Sequence, residues 1–196
     1  AKKMGLPIDK LIVATNENDI LQRVINTGEY KPDEVKPSLS PSMDIQVSSN
    51  FERLLFDILD GDDKKLTLLM NDLKTKGYFN LDQETVKSIK KDFCAVKISD
   101  EETLAIIKNF NVESNFILDP HTATAFGAVK KIGNLSETII LGTAHPYKFF
   151  ETVKKATGIE IKAPSQLLNM VDKEERFDII VNNISKIKSY ILEKII

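Results

Sequence analysis

The sequence has no tryptophan, a single cysteine and two histidines in 196 residues. One thiol, Cys94, excludes an internal disulfide framework and any cysteine-based zinc cluster. It lies in the apolar run Phe93-Cys-Ala-Val96, where it reads as a small buried hydrophobe rather than a nucleophile. The histidines, His121 and His145, lie far apart and show no HExxH spacing, so they do not point to a metal site. An excess of one charge is also lacking. The formal net charge is −2 and the lysines are dispersed among Asp and Glu, which removes the basic footprint that a nucleic acid would require. The pairs at 64–65, 90–91, 130–131 and 154–155 fall in segments of helical periodicity and read as solvated faces. Long hydrophobic runs are absent: Thr138 to Leu141 is far too short to span a bilayer, and the first residues lack a secretory apolar region. The expectation is a cytoplasmic protein without membrane contact. There is no internal repeat, low-complexity segment or glycine-rich phosphate-binding turn.

What is present suits an ordinary soluble domain, with 42% apolar and 29% charged residues. Residues 1–5 read as a last helical turn closed by Gly5, so the chain is expected to begin inside an element. Lys10 to Ala14 is the pattern of a buried parallel strand turning into a helix capped by Asn18 or Asp19. Pro32, Pro37 and Pro41 make residues 31–42 a loop. Ser48 or Ser49, with Glu52 as capping-box partner, is the expected start of a helix through Leu59. Further helices are expected from Asp62 or Asp63 to Gly77 and from Asp82 and Asp100, with a strand candidate at Ala95 to Ile98. Asp119-Pro120 is an N-cap followed by a first-turn proline, opening a helix to Gly133. Thr138 to Leu141 reads as a second buried strand, followed by a helix from Pro146 to Gly158. Isoleucines 179, 180, 184, 187, 191 and 195 recur at helical spacing in a tail expected to pack as a terminal helix.

Thr143 follows an apolar run and precedes a proline-started helix, so by itself it reads as a turn or capping hydroxyl. His121 and His145 read as local capping partners, and Lys148 as a first-turn lysine whose unfavourable place near a helix N-terminus hints at an anionic neighbour. The stretch Ser40-Pro-Ser-Met-Asp-Ile-Gln-Val-Ser-Ser-Asn-Phe-Glu-Arg53 is too polar for a core and reads as a loop. Asn16 is a polar group at a strand end that could face a cleft.

These segments carry a resemblance. Read together, Leu6-Pro-Ile, Ala14-Thr-Asn-Glu-Asn-Asp-Ile20, the Ser40 to Arg53 stretch and Thr143-Ala-His-Pro-Tyr-Lys-Phe149 closely resemble the C-terminal part of the threonine synthases, within the tryptophan-synthase-β-like pyridoxal-phosphate enzymes. The match runs collinearly to about Thr157. The resemblance implies an enzyme that converts O-phosphohomoserine and water into threonine and phosphate, acting as a lyase on a carbon–oxygen bond to phosphate. It places Thr143 at the pyridine nitrogen and makes Ser40, Pro41, Ser42 and Met43 a wall beside the cofactor ring, with Asn50 and Arg53 opening the helix behind it. His145 and Lys148 belong to the same motif. The resemblance puts the Schiff-base lysine and phosphate turn in an N-terminal domain, for which this sequence has no candidates. The chain is therefore expected to be inactive alone, to hold no catalytic residue and no covalently bound cofactor, and to self-associate through an exposed interdomain face.

The expected fold is α/β, a parallel sheet flanked by helices with a mostly helical inserted lobe. Residues 1–59 and 116–160 form the core, 60–115 the lobe and 161–196 a helical tail. Three other functions stay open: a phospholyase on the same scaffold releasing a keto acid, a non-catalytic domain binding an anionic metabolite, and, disfavoured by the lack of tryptophan, a carbohydrate or peptide module.

Overall fold

The structure is a computed structural model and describes residues 1–133, 137–171 and 173–195, the side chains of 169 and 171 excepted. It divides into two compact units, residues 1–162 and 163–196. The first holds the sheet. Strand β1 (Leu11–Thr15) leads into helix α1 (Ile20–Thr27), then a short strand β2 (Glu29–Tyr30) and a loop with one 3-10 turn at Pro41–Met43. Helices α2 (Phe51–Ile58) and α3 (Asp63–Lys76), strand β3 (Phe79–Asn80), helix α4 (Gln83–Asp92) and strand β4 (Phe93–Lys97) follow. Helices α5 (Asp100–Ser114) and α6 (Pro120–Ile132), a 3-10 turn at Pro146–Phe149 and helix α7 (Phe150–Thr157) complete this unit.

Strands β1 and β4 pair in parallel from Leu11 with Phe93 to Thr15 with Lys97, and the Ile98 amide extends the ladder to the Thr15 carbonyl at 2.9 Å. Helix α1 packs on β4 and α6 on β1, so helices flank the small parallel sheet. The apolar stripe of α1, Ile20, Val24 and Ile25, is buried against Leu55 of α2 and Val86 and Ile89 of α4. Each fully buried aliphatic side chain of this kind contributes about 2 kcal/mol. Tyr30 stacks between Phe51 and Phe79, with ring centroids 5.6 and 4.8 Å away, and its hydroxyl accepts the Ser48 amide at 2.8 Å. Burial raises the Tyr30 pKa, against the lowering effect of that hydrogen bond. Gly28 ends α1 at a φ of +87°, where a Cβ would stand 2.8 Å from Val86 Cγ2. Only glycine meets both demands without strain. A second cluster joins α5, α6 and α7 around Ile107, Leu118 and Ala123, with Phe110 edge-on to Phe126 at 4.8 Å.

Three local expectations change. Thr138 to Leu141 is not a strand: it has no ladder partner among the described residues, and Ile139 and Leu141 are 81% and 72% exposed. The parallel partner of β1 is β4, and an apolar β-branched run does not by itself specify what it pairs with. Residues 60–115 are mostly helical, yet β4 lies in the same sheet as β1, and α3 supplies Leu66, Leu69, Met70 and Leu73 to the same core as α1 and α2. At helix starts, α2 follows Asn50 without the expected Ser48 or Ser49 cap, whereas α5 starts at Asp100 as expected, capped by Ser99 in a capping box with Glu102. Asp62, Asp82 and Asp119 cap α3, α4 and α6 with their side chains, because an N-cap is a local signal.

In the second unit, helices α8 (Ser165–Val171) and α9 (Ile184–Ile195) are present. Isoleucines 184, 187, 191 and 195 fall within α9, whereas Ile179 and Ile180 precede it in irregular chain. Among the described residues no helix is long and apolar enough to cross a membrane, and no cluster of three His, Cys, Asp or Glu side chains could hold a metal.

Candidate functional site

The C-terminal end of β1 organises a buried polar clamp. Asn16, 1% exposed, directs its Nδ2 to Asp44 Oδ1 and Ser38 Oγ, both at 2.7 Å, and to Ser40 Oγ at 3.0 Å. Its Oδ1 accepts the Asn18 amide at 2.8 Å. Asn18 in turn bonds both sides of the loop backbone at Lys36, donating to the carbonyl and accepting from the amide, each at 2.8 Å. Asp44 also accepts from the Ser38 amide at 2.9 Å, and Asp100 accepts the Leu39 amide at 3.2 Å. A largely exposed loop with three prolines and a single 3-10 turn is thus held by side chains reaching its backbone, which satisfies the polar groups at its inner side. Asn16 faces this loop and not a cleft. Ser40 is buried in the same clamp, while Pro41 and Ser42 are exposed on the 3-10 turn.

The second organising point is the start of α6. Asp119, 2% exposed, accepts from the His121 amide at 2.9 Å, the Thr122 amide at 3.3 Å and the Thr122 hydroxyl. His121 Nδ1 is 3.1 Å from the same carboxylate. Burial pushes the Asp119 carboxyl up, and the hydrogen bonds from His121 and Thr122 outweigh it, leaving its pKa below the ordinary value. The far nitrogen, His121 Nε2, accepts the amide of Ser42 at 3.2 Å, so the Pro41–Met43 turn is tied to α6. The His121 ring also lies 4.5 Å from the ring of Phe149.

Between residues 116–119 and Thr122 on one side and residues 142–146 on the other lies an open pocket of about 480 Å³. Thr143 and His145 line it together with Asp119. Thr143 is exposed in this wall. His145 caps the following 3-10 turn, its Nδ1 accepting the Tyr147 amide at 3.1 Å. Lys148 is exposed and is not among the lining residues. Thr143 and His145 therefore share one pocket, and Ser42 joins the same α6 N-terminus through His121; Ser40 points into the clamp. Asn18, Asp44 and the linking place of His121 were not foreseen. Their partners lie 18 to 79 residues away, and the only sequence signal was a density of Asn, Ser and Asp at two loop positions.

Residues 122–191 match the family described as threonine synthase, C-terminal. The chain is 41% identical over 194 residues to threonine synthase of Pseudomonas aeruginosa, covering 97% of this chain and 41% of that protein. It is 43% identical over 175 residues to threonine synthase of Saccharomyces cerevisiae, covering 80% of this chain and 34% of that protein. Among solved structures, a threonine synthase from Brucella melitensis described as bound to PLP superposes with a TM-score of 0.82 at 38% identity, over 98% of this chain and 42% of that one. This chain spans about two fifths of the length of those bacterial relatives. By its sequence along nearly all its length, and by its fold, the chain belongs to the threonine synthase family.

Proposed function

We propose that this chain forms one wall of the pyridoxal-phosphate site of a threonine synthase acting on O-phosphohomoserine, with the cofactor's lysine and phosphate cup supplied by an N-terminal domain. The observation that carries this reading is Thr143: a neutral hydroxyl, exposed in a pocket wall, held between Gly142 and the turn capped by His145. That donor fits the ring nitrogen of pyridoxal phosphate, and the lining residues include no cation that would compete with a lysine from elsewhere. The bound cofactor supplies the electron sink for the elimination of phosphate and addition of water. Thr143 would hold the ring nitrogen by donating a hydrogen bond from its hydroxyl, a neutral partner that would not charge the ring as a carboxylate would. The turn at Pro41–Met43 would serve the ring as a wall, since the Asn16–Asp44 clamp and His121 hold it in place. His145 orients the segment that carries Thr143, and Lys148 remains outside the pocket.

Phe116, Ile139 and Leu141 are exposed beside this pocket and form the apolar surface on which an N-terminal domain would sit. Uncovered, the same surface would favour self-association. A soluble enzyme of amino-acid biosynthesis in the cytoplasm, inactive as this segment alone, is the setting that follows. The test is a chimera in which this chain replaces the aligned part of the Pseudomonas aeruginosa enzyme. With pyridoxal phosphate it is expected to release phosphate and form threonine from O-phosphohomoserine. Release of a keto acid in place of threonine favours the phospholyase, and a soluble, folded chimera with neither product contradicts the proposal.

A further inference from the structure

Ser42 N–H can only donate, so the nitrogen it meets, His121 Nε2 at 3.2 Å, must carry a lone pair. The proton of a neutral His121 then sits on Nδ1, which faces the Asp119 carboxylate at 3.1 Å. The side chain of His121 is 6% exposed and that of Asp119 2%, so water does not substitute for either partner. Asp119 is itself fixed as the N-cap of α6 by two backbone amides. The result is a directional chain from the α6 cap through an imidazole to the backbone of a turn 79 residues earlier in sequence. The same ring lies 4.5 Å from that of Phe149, tilted by 54°; Phe149 is the last residue of the 3-10 turn that follows Thr143 and His145. One buried side chain therefore touches both the Pro41–Met43 turn and the segment that carries Thr143 into the pocket wall.

We infer that His121 is a positioning residue for that site: its Nδ1–H tautomer, set by Asp119, holds the Ser42 amide, and its ring holds Phe149, so that the turn at Pro41–Met43 and the segment carrying Thr143 keep a fixed separation. This rests on the reading of the pocket as a cofactor site, but the bond itself is independent of any cofactor. A local capping histidine would serve only α6. Here the cap is Asp119, and the imidazole is spent on long-range partners.

The test uses nitrogen-15 magnetic resonance of the chain, with two variants. Wild type should show the Nδ1–H tautomer, a through-bond coupling between the Ser42 amide nitrogen and His121 Nε2, and a slow Ser42 amide. His121→Asn, too short to reach Ser42, should speed exchange of that amide by at least about tenfold, the loss of one hydrogen bond of about 1.4 kcal/mol, and shift the Phe149 ring signals. His121→Gln places an acceptor near the Nε2 position and should restore Ser42 protection to within about threefold of wild type. An Nε2–H tautomer, or a folded His121→Asn with unchanged Ser42 exchange, overturns the inference. If His121→Asn does not fold, the wild-type tautomer and the His121→Gln variant decide it alone. In the chimera, His121→Asn should shift the cofactor absorbance band and lower kcat, with partial rescue by Gln. An inactive wild-type chimera counts against the cofactor reading and leaves the resonance results standing. An active chimera indifferent to His121→Asn counts against His121.

Discussion

Asn16 Nδ2 and Asp44 Oδ1 are 2.7 Å apart across 28 residues of sequence, and this contact converts a proline-rich loop into a fixed wall. Asn16 serves three further acceptors or donors in the same buried space, Ser38, Ser40 and the Asn18 amide. Asn16→Leu keeps the volume but strands the buried Asn18 amide and takes the shared amide donor from Ser38, Ser40 and Asp44, of which Asp44 keeps donors from Ser38 and Asn18. The expected loss is about 3 kcal/mol of folding free energy, read by urea denaturation. Asn16→Asp should be at least as damaging, since it sets a second carboxylate against Asp44. Limited proteolysis should then cut within residues 31–46, which stay resistant in the wild-type chain.

The start of α6 should be acid-labile. The folded-state pKa of Asp119 is below its ordinary value, so its ionised form contributes stability that is present above the ordinary carboxylate range, about pH 4, and is lost as pH falls through the folded value. Asp119→Ala removes the cap and should cost about 2 kcal/mol at neutral pH. It should also flatten the acid limb of the stability curve, measured by denaturation at several pH values. An unchanged acid limb in the variant would assign that limb to other carboxylates.

Gly127 sits in the interior of α6, where alanine normally stabilises a helix by about 1 kcal/mol. Here a Cβ would stand 2.5 Å from Ile106 Cδ1 and 3.1 Å from Ile98 Cδ1, so α6 is close to its neighbours at this point. Gly127→Ala should therefore lower stability by about 1 to 3 kcal/mol, seen as a fall in Tm. A rise in Tm would mean that the isoleucines move aside without cost.

Features that depend on neighbours in sequence were legible, and those that depend on distant partners were not. Asp119-Pro120 announces α6 because a cap and a first-turn proline act within three residues, and Gly77 and Gly158 close α3 and α7 in the left-handed conformation for the same reason. Pairing is not local. The strand candidate at Ala95 to Ile98 was visible as an apolar run, but nothing in it named Leu11–Thr15 as its partner, and the similar run at Thr138 to Leu141 finds none among the described residues. The motif at Thr143 to Phe149 points to the proposed site only through its resemblance, while the reason that the Ser40 turn stays in place lies in Asn16, Asp44 and His121. Their long-range hydrogen bonds span 22 to 79 residues, and a loop composition rich in Ser and Asn looks the same whether clamped or free.

The role assigned to Thr143 is tested most directly by Thr143→Val in the chimera carrying this chain. The substitution preserves the shape of the side chain and removes its only hydrogen-bonding group. Cofactor retention should change little, because the phosphate cup and lysine that dominate it lie outside this chain. Turnover should fall by about a hundredfold, equivalent to about 2 to 3 kcal/mol for a hydrogen bond that strengthens as electron density rises on the ring nitrogen. Single-turnover kinetics with O-phosphohomoserine, alongside the cofactor absorbance spectrum, measures both quantities. A slow chemical step with the cofactor fully retained is the predicted result. Near-normal turnover with an unchanged spectrum would make Thr143 a turn residue and contradict the account.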